Sequence, residues 1–281
     1  MAVPEIFDRA ARRSRRDRIV SGYPDHAFLR EAMVEGLVER LDTVSRRFTD
    51  MLDLGCFDAS FPPPAESRIG RCDAGFTWAR MGGGVQADED RLPFADASFD
   101  LVVSAGVFDQ VNDLPGALTL IRRVLRPDGL FLGAFLGGSS LATLKAAFRA
   151  ARPDRPVARV HPAVDLRSAG DLLARAGFAL PVADVETLTV RYAGIGRLLE
   201  DLRGMGASNL LTDRTPMTRG ELARAAEAFQ AAADPDGRTA ERFDLIFLTA
   251  WSPSPDQPKP AARGSGRTSL ADALGRFPGP G

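Results

Sequence analysis

Apolar positions follow two different periods along the chain, and the change of period marks the predicted elements. Leu29, Met33, Leu37 and Leu41 recur at every fourth position, which predicts a helix with one apolar face. The stretch FDLVVS at 99–104 instead contains β-branched residues and shows no clean alternation of apolar and polar positions. A stretch of this kind is typical of a strand that is buried on both faces, as in a parallel sheet covered by helices.

The segments after FDLVVS complete a βαβ unit. A helix with Leu118, Ile121 and Val124 on its inner face is followed by the strand LFLGAF at 130–135. Other strands are predicted at 50–55, 185–190 and 243–251. The alternation of strands and helices predicts an α/β fold with a doubly wound, mostly parallel sheet.

Polar residues mark the starts of two of the helices. Asp25 precedes the helix of Leu29, and Asn112 or Asp113 precedes that of Leu118. Their side chains are suited to accept hydrogen bonds from the free N–H groups of a first helical turn. A basic, helix-prone segment comes before Asp25 and is interrupted around residues 21–24.

Three regions are predicted along the chain. Residues 1–45 are expected to form an N-terminal helical cap, and residues 46–252 the doubly wound domain, with a helical insertion near 194–233 before the last strand. Residues 253–281 are rich in proline, glycine and serine, which predicts an extended tail.

Composition excludes several classes of protein. The 281 residues carry a net charge of −1, so nothing in the overall charge favours nucleic acid as a partner. Two cysteines and two histidines provide neither a disulfide framework nor a zinc site, and no metal is expected. No apolar stretch approaches the roughly 20 residues of a transmembrane helix. We therefore expect a cytoplasmic protein without a transmembrane segment.

Acidic residues follow three successive predicted strands. Asp53 ends the first strand, Asp73 lies twenty positions later, and Asp88 would end a third strand. Carboxylates at the carboxyl ends of parallel strands are placed to bind a ligand with a ribose, an adenine and an amino group. Aspartate is also common there because it caps helices and stabilises turns. On the residues alone, both interpretations stay open.

Five motifs, in the expected order, resemble the class I S-adenosylmethionine-dependent methyltransferases. They are DLGC at 53–56, ADEDRLPF at 87–94, SFDLVVS at 98–104, LRPDGLF at 125–131 and LLARAGF at 172–178. The resemblance implies a Rossmann-like sheet whose last strand is antiparallel. It also implies S-adenosylmethionine as cofactor: Asp53 and Gly55 beside its methionyl part, Asp73 on its ribose hydroxyls, and Asp88 on its adenine amino group.

Further motifs resemble a narrower group, the methyltransferase-like assembly factors of respiratory complex I and their bacterial relatives. They are FDR at 7–9, VNDLP at 111–115, LGG at 136–138, DLRGMGASN at 201–209 and RGSGRTSL at 263–270. This resemblance implies a protein client, such as a respiratory complex subunit. The reaction that it implies is either protein methylation or arginine hydroxylation.

The chain departs from the methyltransferase pattern at the cofactor loop. Phe57 and Ala59 stand where the family has glycines; the phenylalanine would crowd the amino acid moiety, and alanine disfavours a positive φ. Residues 62–64 are all proline, which precludes a regular first crossover helix. Asp109 and Gln110 replace a His-Trp pair that is frequent in relatives. Two functions therefore remain: an enzyme with a degenerate cofactor loop, or a non-catalytic assembly or binding protein that keeps the fold.

Other residues also have two interpretations. The arginines between 12 and 18 could bind an acidic partner or an anionic cofactor tail, but a solvated helix face is the simpler expectation. His161 could be a catalytic base, although a turn residue with a local hydrogen bond is favoured. Met205 could pack in the core or line a substrate entrance, and Cys56 is expected to be a small buried hydrophobe.

Overall fold

The computed structural model describes residues 5–153 and 157–257, which form a seven-stranded sheet with helices on both faces. The strands are β1 Asp50–Leu54, β2 Arg68–Asp73, β3 Val85–Gln86, β4 Phe99–Ala105, β5 Leu125–Gly137, β6 Ala179–Tyr192 and β7 Thr239–Trp251. The helices are α1 Arg9–Ile19, α2 Phe28–Asp42, α3 Phe76–Met81, α4 Leu114–Val124, α5 Ala142–Ala151, α6 Leu166–Arg175, α7 Ile195–Gly204 and α8 Arg219–Gln230. Short 3₁₀ helices span Tyr23–His26 and Phe108–Gln110.

The strand order is β3-β2-β1-β4-β5-β7-β6. The first five strands pair in parallel, and β7 runs antiparallel to both β5 and β6. Helices α7 and α8 lie between β6 and β7 in the chain. The structure therefore confirms the predicted doubly wound sheet, its antiparallel last strand and the helical insertion before that strand.

The core consists of two large apolar clusters. All five residues of β1 are buried, as are the last six of the seven residues of β4. Adjacent β4 residues contribute to different clusters, Val102 to one and Leu101 and Val103 to the other. Burial on both faces explains why β4 shows no alternation in the sequence.

The predicted caps are correct at α4 and wrong at α2. The Asp113 side chain accepts a hydrogen bond from the backbone N–H of Gly116 and caps α4. Asp25 lies inside the 3₁₀ turn Tyr23–His26, and α2 begins after Ala27 without a side-chain cap. Pro24 stands at the start of that turn, and buried Tyr23 anchors it, so the chain turns before α2 and Asp25 does not reach the α2 N-terminus.

The connection from β1 to β2 contains no helix. Residues 55–67 form turns and irregular structure, as the three prolines at 62–64 led us to expect. The backbone takes positive φ at Gly55 (74°), Phe57 (45°) and Ala59 (57°). The turn therefore keeps the left-handed conformation that favours glycine at two positions where the glycine is missing.

Part of the predicted tail, residues 258–281 with the motif at 263–270, lies outside the described residues. The proposed boundaries of the cap and of the tail stay predictions. Within the described ranges, no helix has the length and apolar character required to cross a membrane.

Gly55 is predicted to be essential for folding stability. A Cβ at this position would lie 2.4 Å from Val107 Cγ1, and φ is 74°. We expect Gly55→Ala to lower the free energy of unfolding by about 2–4 kcal/mol, measured by urea denaturation. Gly22→Ala is the matched control, since nothing lies within 4 Å of its added Cβ and its φ is −106°. Equal losses in the two variants would contradict this account.

Candidate functional site

The three aspartates singled out in the sequence lie at the carboxyl edge of the parallel strands. Asp53 is the fourth residue of β1, Asp73 is the last residue of β2, and Asp88 follows β3 by two residues. The backbone N–H of Gly55 donates to Cys72 O at 2.7 Å, which fixes the end of β1 beside the end of β2. All three aspartates are buried.

Asp73 is fully buried and surrounded by hydrogen-bond donors. Arg16 donates to both carboxylate oxygens, from Nε to Oδ1 at 2.8 Å and from Nη2 to Oδ2. The backbone N–H groups of Phe57 and Gly75 donate at 3.1 and 2.7 Å. Burial raises the pKa of Asp73, but the charge and hydrogen bonds of Arg16 outweigh this effect, and the pKa lies below its ordinary value.

The neighbouring carboxylates pair with other arginines of α1. The pairs are Arg12 with Glu89 at 2.6 and 2.8 Å, Arg13 with Asp88 at 2.6 Å, and Arg9 with Asp90 at 2.7 and 2.6 Å. The four arginines recur at helical spacings of three and four residues, so they share one side of α1. Helix α1 thus lies across the same edge of the sheet as the three aspartates.

The expectation of a solvated arginine face is wrong for this side of α1. Arg12 and Arg16 are only 3% and 2% exposed. Buried guanidinium groups require partners, and the motif ADED at 87–90 provides them together with Asp73. The sequence contains both sets of charges, but their separation by more than 50 residues hides the pairing.

Phe57 belongs to the loop after β1 and packs against Arg16 of α1. Its buried ring stacks on Tyr23 at 5.2 Å between ring centroids, and the Arg16 guanidinium lies 3.7 Å from the ring centroid. Trp78 lies 6.1 Å from the same ring. A cavity of about 40 Å³ remains beside Tyr23 and Phe57.

These residues as placed do not fit S-adenosylmethionine. The ribose hydroxyls would have to donate to Asp73, whose two oxygens already accept four hydrogen bonds. The cavity of about 40 Å³ beside Phe57 is far below the roughly 300 Å³ of the smallest typical ligand pockets, and none of the three aspartates lines it. Cofactor binding would therefore require α1 and Phe57 to move.

Two carboxyl groups of the site have raised pKa values. Burial raises the pKa of Asp53 to about 6, and the nearby positive charge of Arg30 only partly opposes it. Burial likewise raises the pKa of Asp109 to about 6. Asp109 lies in the turn after β4 and lines both the small cavity and a larger one.

The larger cavity has a volume of about 440 Å³ and lies between α5, α7 and the loop that follows α7. His161 lines it; its Nε2 accepts a hydrogen bond from the Leu210 N–H at 2.9 Å, and its ring packs edge-on against Phe7. Burial lowers the His161 pKa to about 4, so the ring is neutral. This favours the structural interpretation of His161, although its hydrogen bond joins distant segments rather than a local turn.

Two other residues singled out in the sequence, Cys56 and Met205, contribute to the packing of the domain. Cys56 is fully buried, as expected, and burial raises its thiol pKa to about 12. Met205 is half-buried, packs against the core and lines the small cavity. Within residues 5–153 and 157–257, no group of three or more His, Cys, Asp or Glu side chains is arranged to hold a metal ion. Sequence reasoning missed Glu89, Asp90 and the larger cavity.

Comparisons with known proteins agree with this architecture. Residues 64–133 match the family model for a methyltransferase domain. The YcgJ protein from Bacillus subtilis superposes with a TM-score of 0.53 at 15% identity, covering 78% of this chain and 99% of that one. A methyltransferase from Thermotoga maritima gives a TM-score of 0.52 at 12% identity, covering 85% and 99%. These likenesses show the fold.

Relatives of higher identity extend over nearly the whole chain. The mitochondrial arginine-hydroxylase NDUFAF5 of Danio rerio is 32% identical over 95% of this chain and 89% of that protein. Its Homo sapiens counterpart is 31% identical over 97% and 84%. The malonyl-[acyl-carrier protein] O-methyltransferase of a Methylovorus strain is 30% identical over 88% and 90%.

The sheet, its edge and these similarities define a protein of the class I S-adenosylmethionine-dependent methyltransferase superfamily. Within that superfamily the chain belongs to the family of the NDUFAF5 proteins.

The raised pKa of Asp53 predicts a pH-dependent stability. The folded protein binds this proton more tightly than the unfolded chain, so the free energy of unfolding falls as the pH rises from about 4 to about 6. We expect Asp53→Asn to be more stable than the parent by about 3 kcal/mol above pH 7, at 1.36 kcal/mol per pKa unit. The gain should vanish near pH 4, as measured by urea denaturation across pH.

Asp50→Asn, on the same strand, is the control, because its effect on the free energy of unfolding should have the opposite sign. The hydrogen bond from Arg126 lowers the pKa of Asp50 and outweighs the opposing effect of burial. This substitution should therefore destabilise the protein at neutral pH, with a loss that shrinks as the pH falls. Destabilisation by Asp53→Asn at pH 8 would overturn our account of Asp53.

The pairing of α1 with the sheet edge predicts a large cost for removing one buried arginine. Arg12→Gln leaves Glu89, which is 1% exposed, as an uncompensated buried charge. We expect a loss of about 3–5 kcal/mol in the free energy of unfolding. Arg18→Gln, an exposed position on the same helix, should change it by less than about 0.5 kcal/mol. A loss at Arg12 no larger than that at Arg18 would mean that the pairs do not anchor α1.

Proposed function

We propose that this protein binds a protein client during the assembly of a respiratory complex, as a scaffold with a methyltransferase fold that does not use S-adenosylmethionine. The proposal is the second of the two functions that the sequence left open. A single observation supports it: Arg16 and the Phe57 N–H already donate to Asp73, the carboxylate to which the resemblance assigns the ribose hydroxyls.

The relatives support the biological context. The NDUFAF5 proteins are named as mitochondrial arginine-hydroxylases, and the similarity to them covers at least 95% of this chain in the fish and human cases. We carry over the assembly role and a protein client from the resemblance of this family to respiratory complex I assembly factors. A cytoplasmic location stays a prediction.

The altered loop supports the loss of cofactor use. Phe57 takes a positive φ and directs its ring into a stack with Tyr23, and the Phe57 N–H donates to Asp73. A ligand would have to replace these contacts and the bidentate ion pair from Arg16. The loop is therefore built into the packing of the domain rather than left open.

A second candidate function is an S-adenosylmethionine-dependent enzyme that acts on the same client. Asp53, Asp73 and Asp88 at one sheet edge favour it, because the residues implied for the methionyl, ribose and adenine contacts are present. This function requires α1 to withdraw Arg16 and Arg13. Arginine hydroxylation, the activity in the name of the relatives, is a further form of this enzymatic alternative.

The exposed edge strand offers one surface for a client. Leu180, Val182 and Val185 of β6 are 40–54% exposed. β6 is the terminal strand of the sheet and pairs with β7 on one side. Unpaired backbone groups and exposed apolar side chains on an edge strand are suited to contact another chain.

Two measurements separate the candidates. Calorimetric titration of the purified protein with millimolar S-adenosylhomocysteine should give no binding heat. In cells that lack the gene, Asp53→Asn should restore the assembled respiratory complex as well as the parent protein does, because the carboxylate serves no cofactor. Binding of S-adenosylhomocysteine together with loss of assembly in Asp53→Asn would overturn the scaffold proposal in favour of the enzyme.

A double variant provides the positive control for the titration. Arg16→Ala with Phe57→Gly removes both groups that occupy the site and restores a glycine at a positive φ. If this variant folds, as judged by circular dichroism, and binds S-adenosylhomocysteine while the parent does not, the occupied site is the cause of the missing binding.

A further inference from the structure

The larger cavity is lined by positively charged side chains that have no carboxylate partner among the described residues. Arg15 of α1, Lys145 of α5 and Arg203 of α7 all line it. Within residues 5–153 and 157–257, none of these three forms an ion pair with a carboxylate. Arg15 and Lys145 are partly withdrawn from water, whereas Arg203 is exposed. Cations withdrawn from water are normally paired, so two unpaired ones at one cavity call for an explanation.

Lys145 is half-buried at the wall of the cavity. Its Nζ donates to the backbone oxygen of Ser140 at 2.8 Å, which leaves two N–H donors of the ammonium group without a protein acceptor in the described structure. Burial lowers the Lys145 pKa, and the negative charge of Glu241, which forms no ion pair with Lys145, only partly opposes this effect. An anion in the cavity would compensate this cost.

Arg15 is held in place from the opposite side. Its Nη1 donates to the backbone oxygens of Ser208 and Asn209 at 3.1 and 2.6 Å. Burial and the repulsion from Arg214 and Arg18 lower its pKa. The guanidinium is therefore fixed in position by carbonyl groups that carry no full charge, beside other cations.

The other charged residues that line the cavity do not cancel the positive charge of Arg15, Lys145 and Arg203. Arg159 and Arg214 also line the cavity, but they are paired with Glu221 and Asp8 at 3.2 and 3.1 Å. Asp109 is the single carboxylate of the lining. Three unpaired cations against one carboxyl group leave the cavity positively charged.

Apolar side chains form a large part of the remaining wall. They include Leu136, Leu144, Phe148, Leu199 and Leu202. The volume of about 440 Å³ exceeds what one amino-acid side chain fills and lies in the range of small-molecule sites. The chemistry of the lining thus combines an aliphatic and aromatic surface with a cationic side.

We propose that this cavity binds an amphipathic anion, a small molecule whose carboxylate is held by Lys145 and the neighbouring arginines and whose aliphatic body lies along the apolar walls. The carboxylate accepts charge-assisted hydrogen bonds from groups that lack a carboxylate partner. A cationic ligand of the same shape is repelled by the same groups, so charge decides specificity.

The residues of the anion site are separate from those implied for the cofactor. None of Asp53, Asp73 and Asp88 lines this cavity. The anion site can therefore exist whether or not S-adenosylmethionine binds, and failure of either proposal leaves the other standing.

Calorimetric titration with octanoate, octylammonium and octanol, all below their micellar concentrations, tests the site. Octanoate should bind at least about tenfold more tightly than octanol, which lacks the charge, and octylammonium should not bind measurably. Equal binding of octanoate and octanol, tighter binding of octylammonium, or no binding of octanoate would each overturn the proposal.

A pair of variants on α5 locates the site. Lys145→Met keeps the length of the side chain and removes its charge, so it should weaken octanoate binding about tenfold while octanol binding stays unchanged. Arg149→Met removes an exposed charge from the same helix outside the cavity and should leave both affinities unchanged. Equal effects of the two variants would place octanoate elsewhere and overturn the assignment. The melting temperatures of both proteins verify that the fold is intact.

Discussion

The pairing of the α1 guanidinium groups with carboxylates at the sheet edge determines most of what is unusual in this structure. Arg12 and Arg16 are removed from water almost completely, together with Glu89 and Asp73. Charges buried in this way are tolerated only in pairs, because an unpaired one carries a desolvation cost of several kcal/mol. The arginines of α1 can therefore be buried only together with the carboxylates of the sheet edge, and these carboxylates only together with the arginines. The N-terminal helix is consequently part of the packed domain and not an independent appendage.

The same pairing explains how Phe57 keeps a positive φ in the loop after β1. A residue other than glycine in the left-handed region costs on the order of 1–3 kcal/mol, and it remains there only when the surroundings fix it. The surroundings of Phe57 fix it in this way, because Arg16 lies over its ring, Tyr23 stacks on the ring, and Asp73 accepts a hydrogen bond from its backbone N–H. The positive φ of Phe57 and the packing of the arginine helix are thus one structural feature. A glycine at residue 57 would offer Arg16 and Tyr23 no side chain to pack against.

The sequence predicts the sheet well because the signals for the sheet are local. Strands without alternation, such as β4, and the Asp113 cap depend on neighbours in the chain, and both are found as expected. Asp25 shows the limit, since a 3₁₀ turn anchored by buried Tyr23 displaces the expected helix start. The arginines of α1 show this limit of prediction from the sequence more clearly. Their spacing fits a solvated face equally well, and only the folded chain brings them to carboxylates that lie 57 to 81 positions away.

Helix α1 connects the two candidate sites through adjacent residues. Arg16 pairs with Asp73 at the sheet edge, whereas Arg15 is bound to the loop carbonyls beside the larger cavity. Asp109 lines both cavities. Any movement of α1 that frees Asp73 must also break the Arg15 contacts with Ser208 and Asn209, which would alter the cationic wall. The anion proposed for the larger cavity would rest against Arg15 and so would stabilise the conformation in which Arg16 covers Asp73. By reciprocal linkage, a ligand on Asp73 would weaken anion binding. We therefore expect the two sites to be coupled through α1, so that a ligand at one site lowers the affinity of the other without abolishing it.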